Sequence, residues 1–203
     1  MKILAVGRNY KEHAKELNNP LPTNPIVFLM PETAINKNSK IFFYPSFSKD
    51  IHYEVELVLK INRLGKNISE KFANRYYNEI GIGIDFTARD LQEKLQKEGL
   101  PWEISKSFDG ALPLGRFISK DNIVDMKNIN FSLEKNGKVV QEGNTKDMIF
   151  SFDSIISYVS KFFTLKIGDL IFTGTPAGVG PITIGDSLTA KIEEQELLNV
   201  LIR

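Results

Sequence analysis

The stretch His52-Tyr53-Glu54-Val55-Glu56-Leu57-Val58-Leu59 constrains this chain more than any other. Read as a strand, it places Tyr53, Val55, Leu57 and Leu59 on one face and Glu54 and Glu56 on the other. The apolar face needs cover, so a sheet has to be built around it. On the other face two neighbouring carboxylates, with no Lys or Arg between them, repel unless water or a cation screens them. Two readings follow. The acidic face is the solvated outer side of an antiparallel strand, or its carboxylates bind one hard divalent cation.

With 203 residues, 42% hydrophobic and 25% charged, the chain fits one globular domain, residues 1–203, with a sizeable core. No internal repeat, low-complexity tract or linker divides it. The formal net charge of +1 gives no electrostatic case for nucleic acid or an anionic membrane as partner. The absence of cysteine excludes disulfides, thiolate catalysis and Cys-based zinc sites. A metal must therefore use oxygen ligands or one of the two histidines, His13 and His52. No apolar run approaches membrane-spanning length, and Met1 to Gly7 reads as a first strand rather than a signal peptide. The resulting expectation is a cytoplasmic protein.

Strand and helix signals alternate along the chain. Ile3 to Val6 reads as a strand ended by Gly7. Asn9 then caps a helix with Glu12 three residues on, running to about Leu17 and stopped by Asn18-Asn19-Pro20. Ile26 to Met30 and Ile41 to Tyr44 read as strands, and Asn36 to Lys40 as a polar turn. Ser69 to Tyr77 reads as a helix capped by Ser69. Gly81-Ile82-Gly83-Ile84-Asp85 reads as a strand with glycines where something packs closely. Thr87 caps the next helix, which carries Leu91 and Leu95 and ends at Gly99. Pro101 to Arg116 reads as mostly loop. Asn136-Gly137 marks a hairpin. Ser151 or Asp153 caps a helix with Ile155, Ile156, Val159 and Phe162 on one side. Asp169 to Thr173, Ser187 to Ile192 and Leu197 to Ile202 read as strands.

Several residues outside the acidic pair can carry chemistry, each with an ordinary alternative. Asp85, at a strand end before a helix, is a third cation ligand or a cap. Lys106 is a solvated lysine or a cation aimed at an enolate or a carboxylate. His13 and Glu16 share a helix face as a surface pair or as a proton-transfer dyad. The backbone of Gly174-Thr175-Pro176-Ala177-Gly178-Val179-Gly180 is an anion cradle or a tight connection.

Their order and wording decide more than any one of them. The chain resembles the fumarylacetoacetate hydrolase family along essentially its whole length. The likeness is carried by Gly7-Arg8-Asn9-Tyr10 with His13 and Glu16, by Tyr53-Glu54-Val55-Glu56-Leu57, and by Gly83-Ile84-Asp85-Phe86-Thr87-Ala88-Arg89-Asp90-Leu91-Gln92. It continues through Lys106-Ser107-Phe108-Asp109-Gly110-Ala111-Leu112-Pro113-Leu114-Gly115, Gln141, Gly143, Thr145, Met148-Ile149-Phe150, and Gly168-Asp169-Leu170-Ile171-Phe172-Thr173 followed by the glycine-rich loop. The short N-terminus is similar to the acylpyruvase-like branch.

The resemblance implies a β-rich α+β fold of layered mixed sheets, forming a homodimer. It implies Glu54, Glu56 and Asp85 as ligands of Mg²⁺ or Mn²⁺, Lys106 beside the ion, and His13 with Glu16 as a water-activating dyad on a closing segment. It also implies Arg8, Arg89, Gln92 and Thr175 near a small keto-acid substrate. Arg116, Ile167 and the glycine-free turn Glu193-Glu194-Gln195-Glu196-Leu197 depart from the family pattern, which bears on loop geometry.

The expected activity is metal-dependent carbon–carbon hydrolysis of a 2,4-diketo acid, of acylpyruvate or fumarylpyruvate type, to pyruvate and a carboxylic acid. Decarboxylation or keto–enol tautomerisation of oxaloacetate uses the same enolate and is the alternative. A non-catalytic binding module is a third reading, against which Lys106, His13 and Glu16 count. Either glutamate changed to alanine is expected to abolish metal binding and leave the fold intact.

Overall fold

The computed structural model describes residues 1–16, 20–36 and 38–203. The expected helix stop at Leu17 to Asn19 and part of the turn at Lys37 lie outside the described residues.

The strand Val55–Ile61 lies inside a six-stranded sheet. Across that sheet the order is Ile118–Ser119, Tyr77–Ile84, Val55–Ile61, Leu170–Phe172, Ile3–Gly7 and Ile26–Met30. Every neighbouring pair is antiparallel except Ile3–Gly7 with Leu170–Phe172. A second sheet runs Lys138–Asn144, Asn130–Lys135, Ser187–Ile192, Gln195–Ile202 and Ile41–Phe42.

One apolar cluster joins the two sheets. Val55, Leu57, Leu59 and Ile61 meet Ile80, Ile82 and Ile84 from the neighbouring strand, and Phe131, Leu133, Leu188, Ala190 and Val200 from the second sheet. The helix Phe152–Phe162 adds Ile155, Ile156 and Val159, and the Ser151 hydroxyl caps it by accepting from the Ser154 N–H. On the far face of the first sheet, Val58 packs with Ile3, Ala5, Leu112 and Phe172. The observed class is α+β and β-rich, as the resemblance implied.

Burial on both faces removes the solvated-face reading of Glu54 and Glu56, which are 5% and 3% exposed. The second sheet covers one face of this strand, and Ile3, Ala5, Leu112 and Phe172 cover the other. It is also broken. Ile51–Tyr53 belongs to a small sheet with Gly180–Pro181 and Thr87–Ala88, and the long strand starts at Val55.

The glycines of Tyr77–Ile84 lie on the face opposite the isoleucines, under aromatic rings. A Cβ at Gly81 would lie 2.9 Å from the Phe117 ring, and one at Gly83 2.8 Å from the Phe172 ring. The hairpin turn is as expected: Asn136 (φ 54°) and Gly137 (φ 75°) both take left-handed conformations, which matches strand twist. Glu193 supplies the same conformation (φ 48°) in the glycine-free closing turn.

Several caps differ from expectation. Asn9 does not cap the helix Lys11–Glu16. Its amide donates to the carbonyls of Phe150 (3.0 Å) and Thr173 (2.8 Å) and accepts from the Phe150 N–H (2.8 Å), tying three segments together. Thr87 lies before the helix Arg89–Glu98 but its hydroxyl faces Lys106, while Gly99 (φ 67°) ends that helix as expected. The helix after Ser69 spans only Glu70–Ala73, because Tyr77 already belongs to a strand. Phe162 is exposed at its helix end. Among the described residues, no helix is long and apolar enough to cross a membrane.

Gly83→Ala should destabilise the fold by about 1–3 kcal/mol, because the fully buried Phe172 ring has no room to retreat. Urea denaturation checks this, and an unchanged midpoint would show that the ring yields freely.

Candidate metal-dependent active site

The break at Glu54 is where the site begins. The Val55 N–H is satisfied by the Gln141 side-chain carbonyl (2.9 Å) instead of a neighbouring strand. The Glu54 carbonyl accepts from the Asp85 N–H (2.8 Å), which sets Asp85 beside it just past the end of Tyr77–Ile84. Glu56 follows two residues later on the same face, in register with Gly83. One oxygen from each of Glu54, Glu56 and Asp85 lies within 4.8 Å of the others.

Lys106 reaches this group from the single helical turn Glu103–Lys106, within a segment expected to be mostly loop. Its Nζ donates to Glu54 Oε2 (2.7 Å), Asp85 Oδ2 (2.8 Å) and Thr87 Oγ1 (2.6 Å). Arg89 Nη2 donates to the other Glu54 oxygen (2.6 Å), and Arg89 Nη1 donates to Gln92 Oε1. Glu56 Oε2 accepts from the Gly174 N–H (2.7 Å). Asp85 Oδ1 is buried with no hydrogen-bond partner.

Burial alone would raise the Glu54 carboxyl, but Lys106 and then Arg89 outweigh it and hold the group below the usual range. Glu56 has no such ion pair, so burial, reinforced by the Asp85 charge, pushes it well up. Burial also pushes Asp85 up, to about 6, with Lys106 pulling against it. Desolvation would lower Lys106, yet Asp85 and Glu54 win and raise it. Fixed cations thus satisfy Glu54, whereas Glu56 and Asp85 strain against ionisation.

That imbalance is what a hard divalent cation relieves. The donors are carboxylate oxygens without nitrogen or sulfur, and Asp85 Oδ1 is an orphaned acceptor at the site. The residues present therefore fit an ion of the Mg²⁺ or Mn²⁺ kind.

The remaining candidates line one small cavity of about 40 Å³ with the three carboxylates. Arg8, His13, Arg89, Gln92, Lys106 and Thr175 all contribute to it. Glu16 stands behind His13, its Oε2 3.2 Å from His13 Nδ1, while its Oε1 accepts from the Gly178 N–H (3.0 Å). Two backbone N–H groups of the glycine-rich loop, those of Gly174 and Gly178, donate to Glu56 and Glu16. Sequence reasoning passed over Trp102 and Phe28, which wall the cavity, and Thr87, which it took as a cap. Gln141 stood only in the motif match; it links Val55 to Thr175 Oγ1 (2.9 Å).

A buried carboxylate triad with a buried lysine, on a layered mixed-sheet fold, is a site that could hold a divalent ion. The chain belongs to the fumarylacetoacetate hydrolase family: the family model described as fumarylacetoacetate (FAA) hydrolase C-terminal matches residues 2–201. The chain is 43% identical over 191 residues to the oxaloacetate tautomerase FAHD1, mitochondrial, of Mus musculus, covering 94% of this chain and 86% of that protein. It is 42% identical over 192 residues to the oxaloacetate decarboxylase, mitochondrial, of Dictyostelium discoideum, covering 94% and 88%. The crystal structure of fumarylpyruvate hydrolase from Pseudomonas aeruginosa, in complex with Mn²⁺ and pyruvate, superposes with a TM-score of 0.93 at 34% identity, covering 100% of this chain and 89% of that one.

The pairing of Glu54 corrects the expectation that either alanine variant leaves the fold intact. Glu54→Ala strands Lys106 and Arg89 in the interior and should cost about 3–5 kcal/mol. Glu56→Gln should keep the unfolding midpoint of the ion-free protein and lose Mn²⁺ binding; equal destabilisation of both variants would refute the distinction.

The raised Asp85 carboxyl predicts a pH dependence of opposite sign with and without the ion. The ordinary aspartate value is 3.8, so between about 4 and 6 the folded ion-free chain holds a proton that the unfolded chain has lost. Its stability should fall as pH rises through that window. Mn²⁺ affinity should rise over the same window, because binding displaces the protons that Asp85 and Glu56 hold. Thermal melts and isothermal titration at pH 5 and 7 check both signs.

Proposed function

We propose that this chain is a divalent-metal-dependent keto–enol tautomerase of oxaloacetate. Carbon–carbon hydrolysis, the activity expected first from the sequence, becomes the second reading. One observation carries the proposal: the Lys106 ammonium is locked among Glu54, Asp85 and Thr87, a fixed positive charge against the carboxylates that suit a cation. Tautomerisation needs enolate stabilisation and one proton-transfer group, and no attacking water. The names of the tautomerase and decarboxylase relatives support oxaloacetate as the substrate.

We assign Glu54, Glu56 and Asp85 to the ion, with Mg²⁺ or Mn²⁺ as the species. When bound, the ion supplies Lewis acidity to the carboxylate and keto oxygens of a 2-oxo acid. Lys106 holds Glu54 and Asp85 in place and contributes positive charge where negative charge develops. Arg89 fixes the other Glu54 oxygen and is itself oriented by Gln92. Glu16, anchored on Gly178, holds the His13 Nδ1 side, leaving Nε2 to move a proton between the substrate carbon and the enol oxygen. Phe28 and Trp102 limit water around the substrate.

The His13–Glu16 pair also favours the second reading, since a carboxylate-oriented imidazole can activate water for attack on a distal carbonyl. The fumarylpyruvate hydrolase at 34% identity supports it too. A substrate panel with Mg²⁺ separates the two. Enol–keto exchange of oxaloacetate, followed by absorbance, should be fast and should fall about 100-fold or more in His13→Ala. Pyruvate plus a carboxylic acid from acylpyruvates, with no accelerated exchange, would make the chain a hydrolase. Pyruvate plus CO₂ from oxaloacetate as the only turnover would make it a decarboxylase.

A further inference from the structure

We propose that Arg8 selects a 2-oxo dicarboxylate by pairing with the carboxylate at the far end of the substrate. This deepens the oxaloacetate reading and rests on it. Three cations line the cavity, and two are already committed. All three N–H bonds of Lys106 have acceptors at 2.6–2.8 Å. The charge of Arg89 is paired with Glu54, and its Nη1 is held by Gln92. Arg8 makes no hydrogen bond or ion pair with any described residue.

Arg8 is nonetheless fixed in place. Its guanidinium lies 5.9 Å from the centre of the Trp102 ring, and Phe28 packs against that ring edge-on with centroids 5.9 Å apart. All three side chains wall the same cavity. A guanidinium lying over an aromatic face keeps its planar fork of donors available for a carboxylate. The backbone adds a constraint. Arg8 takes φ 58°, a left-handed conformation that a side-chain-bearing residue rarely adopts, immediately after the strand Ile3–Gly7. Glycine would relax that position but would leave the cavity without its free cation.

Charge matching points the same way. The cavity wall carries three carboxylates, Glu54, Glu56 and Asp85, and three cations, Arg8, Arg89 and Lys106. A divalent ion then leaves two positive charges, which a 2-oxo dicarboxylate dianion neutralises. Without Arg8 the loaded site would carry one positive charge and suit a monoanionic acylpyruvate. Arg8 is thus a specificity-determining group, placed away from the carboxylates that hold the ion.

The test compares oxaloacetate with its 4-methyl ester, which lacks only the distal charge. Binding is measured by titration calorimetry on the Mg²⁺-loaded full chain carrying His13→Ala, which suppresses turnover. This parent should bind oxaloacetate about tenfold or more tighter than the ester. Adding Arg8→Met should bring that preference below about threefold by weakening oxaloacetate alone. Arg8→Asn should do the same, and because Asn tolerates left-handed backbone it keeps the test available if the Met variant misfolds. A preference that survives both variants, equal weakening of both ligands, or no preference in the parent would each overturn the assignment. If the wild-type chain does not turn oxaloacetate over yet the variants erase the binding preference, the tautomerase reading fails and Arg8 stands. If turnover is seen and the preference is untouched, Arg8 alone fails.

Discussion

The Lys106 ammonium held between Glu54 and Asp85 is the interaction on which the rest of the arrangement depends. Ions buried this deeply each lose several kcal/mol of hydration, and only near-complete hydrogen bonding offsets that loss. Here Lys106 has an acceptor for every N–H, and Glu54 has a cationic donor on each oxygen. Much of the fold near the site serves this geometry. The sheet interrupts its central strand at Glu54, and Gln141 takes over the backbone donor thereby released. Gly174 turns its N–H onto Glu56 with φ 99°, and a Cβ there would lie 2.7 Å from the Asn9 side chain. Asn9 in turn bonds the Thr173 carbonyl, so the loop supporting Glu56 is tied to the segment that carries His13.

The sequence pattern revealed the face of Glu54 and Glu56 but not its depth. Alternation assigns sides, whereas burial depends on what packs over each face, and that is decided by residues far away in the chain. Val58, on the same face as the two glutamates, was a local sign that this face was not solvated. The glycines at positions 81 and 83 were read for the right reason, since aromatic rings do press on them. The misread caps share one cause. Asn9 and Thr87 have cap-forming side chains, but tertiary partners compete for the same lone pairs and donors and win where the site needs them. Lys106 looked like a loop lysine because one helical turn leaves almost no periodic signal. Its role was legible only through the family's motif.

Two mechanical regimes meet in the cavity. The three carboxylates are buried at the break before the central strand, on that strand, and just past the end of its neighbour. His13 and Glu16 ride on a six-residue helix, held by the Glu16 contact to Gly178, by Asn9 and by a single bridge from Tyr10 to Met148. The described residues of this helix are positioned by those anchors. On the proposed reading, the ion and the enolate would be served by groups on the sheet, and proton transfer by a group on the short helical segment.

This division explains how relatives named for tautomerisation, decarboxylation and hydrolysis can share one fold. On the proposed reading, each of those reactions can draw on an enolate of a 2-oxo acid, which a cluster of cation, lysine and carboxylates would stabilise. What differs is whether a proton, CO₂ or an acyl group departs, and whether water is present when it does. On the proposed reading those choices belong to the cavity residues outside the carboxylate cluster, Arg8, His13, Phe28 and Trp102. Such residues can change without disturbing the buried ion pairs, because neither Arg8 nor His13 bonds to Glu54, Glu56 or Asp85. Reaction type can thus vary there while the stability of the core cluster stays fixed.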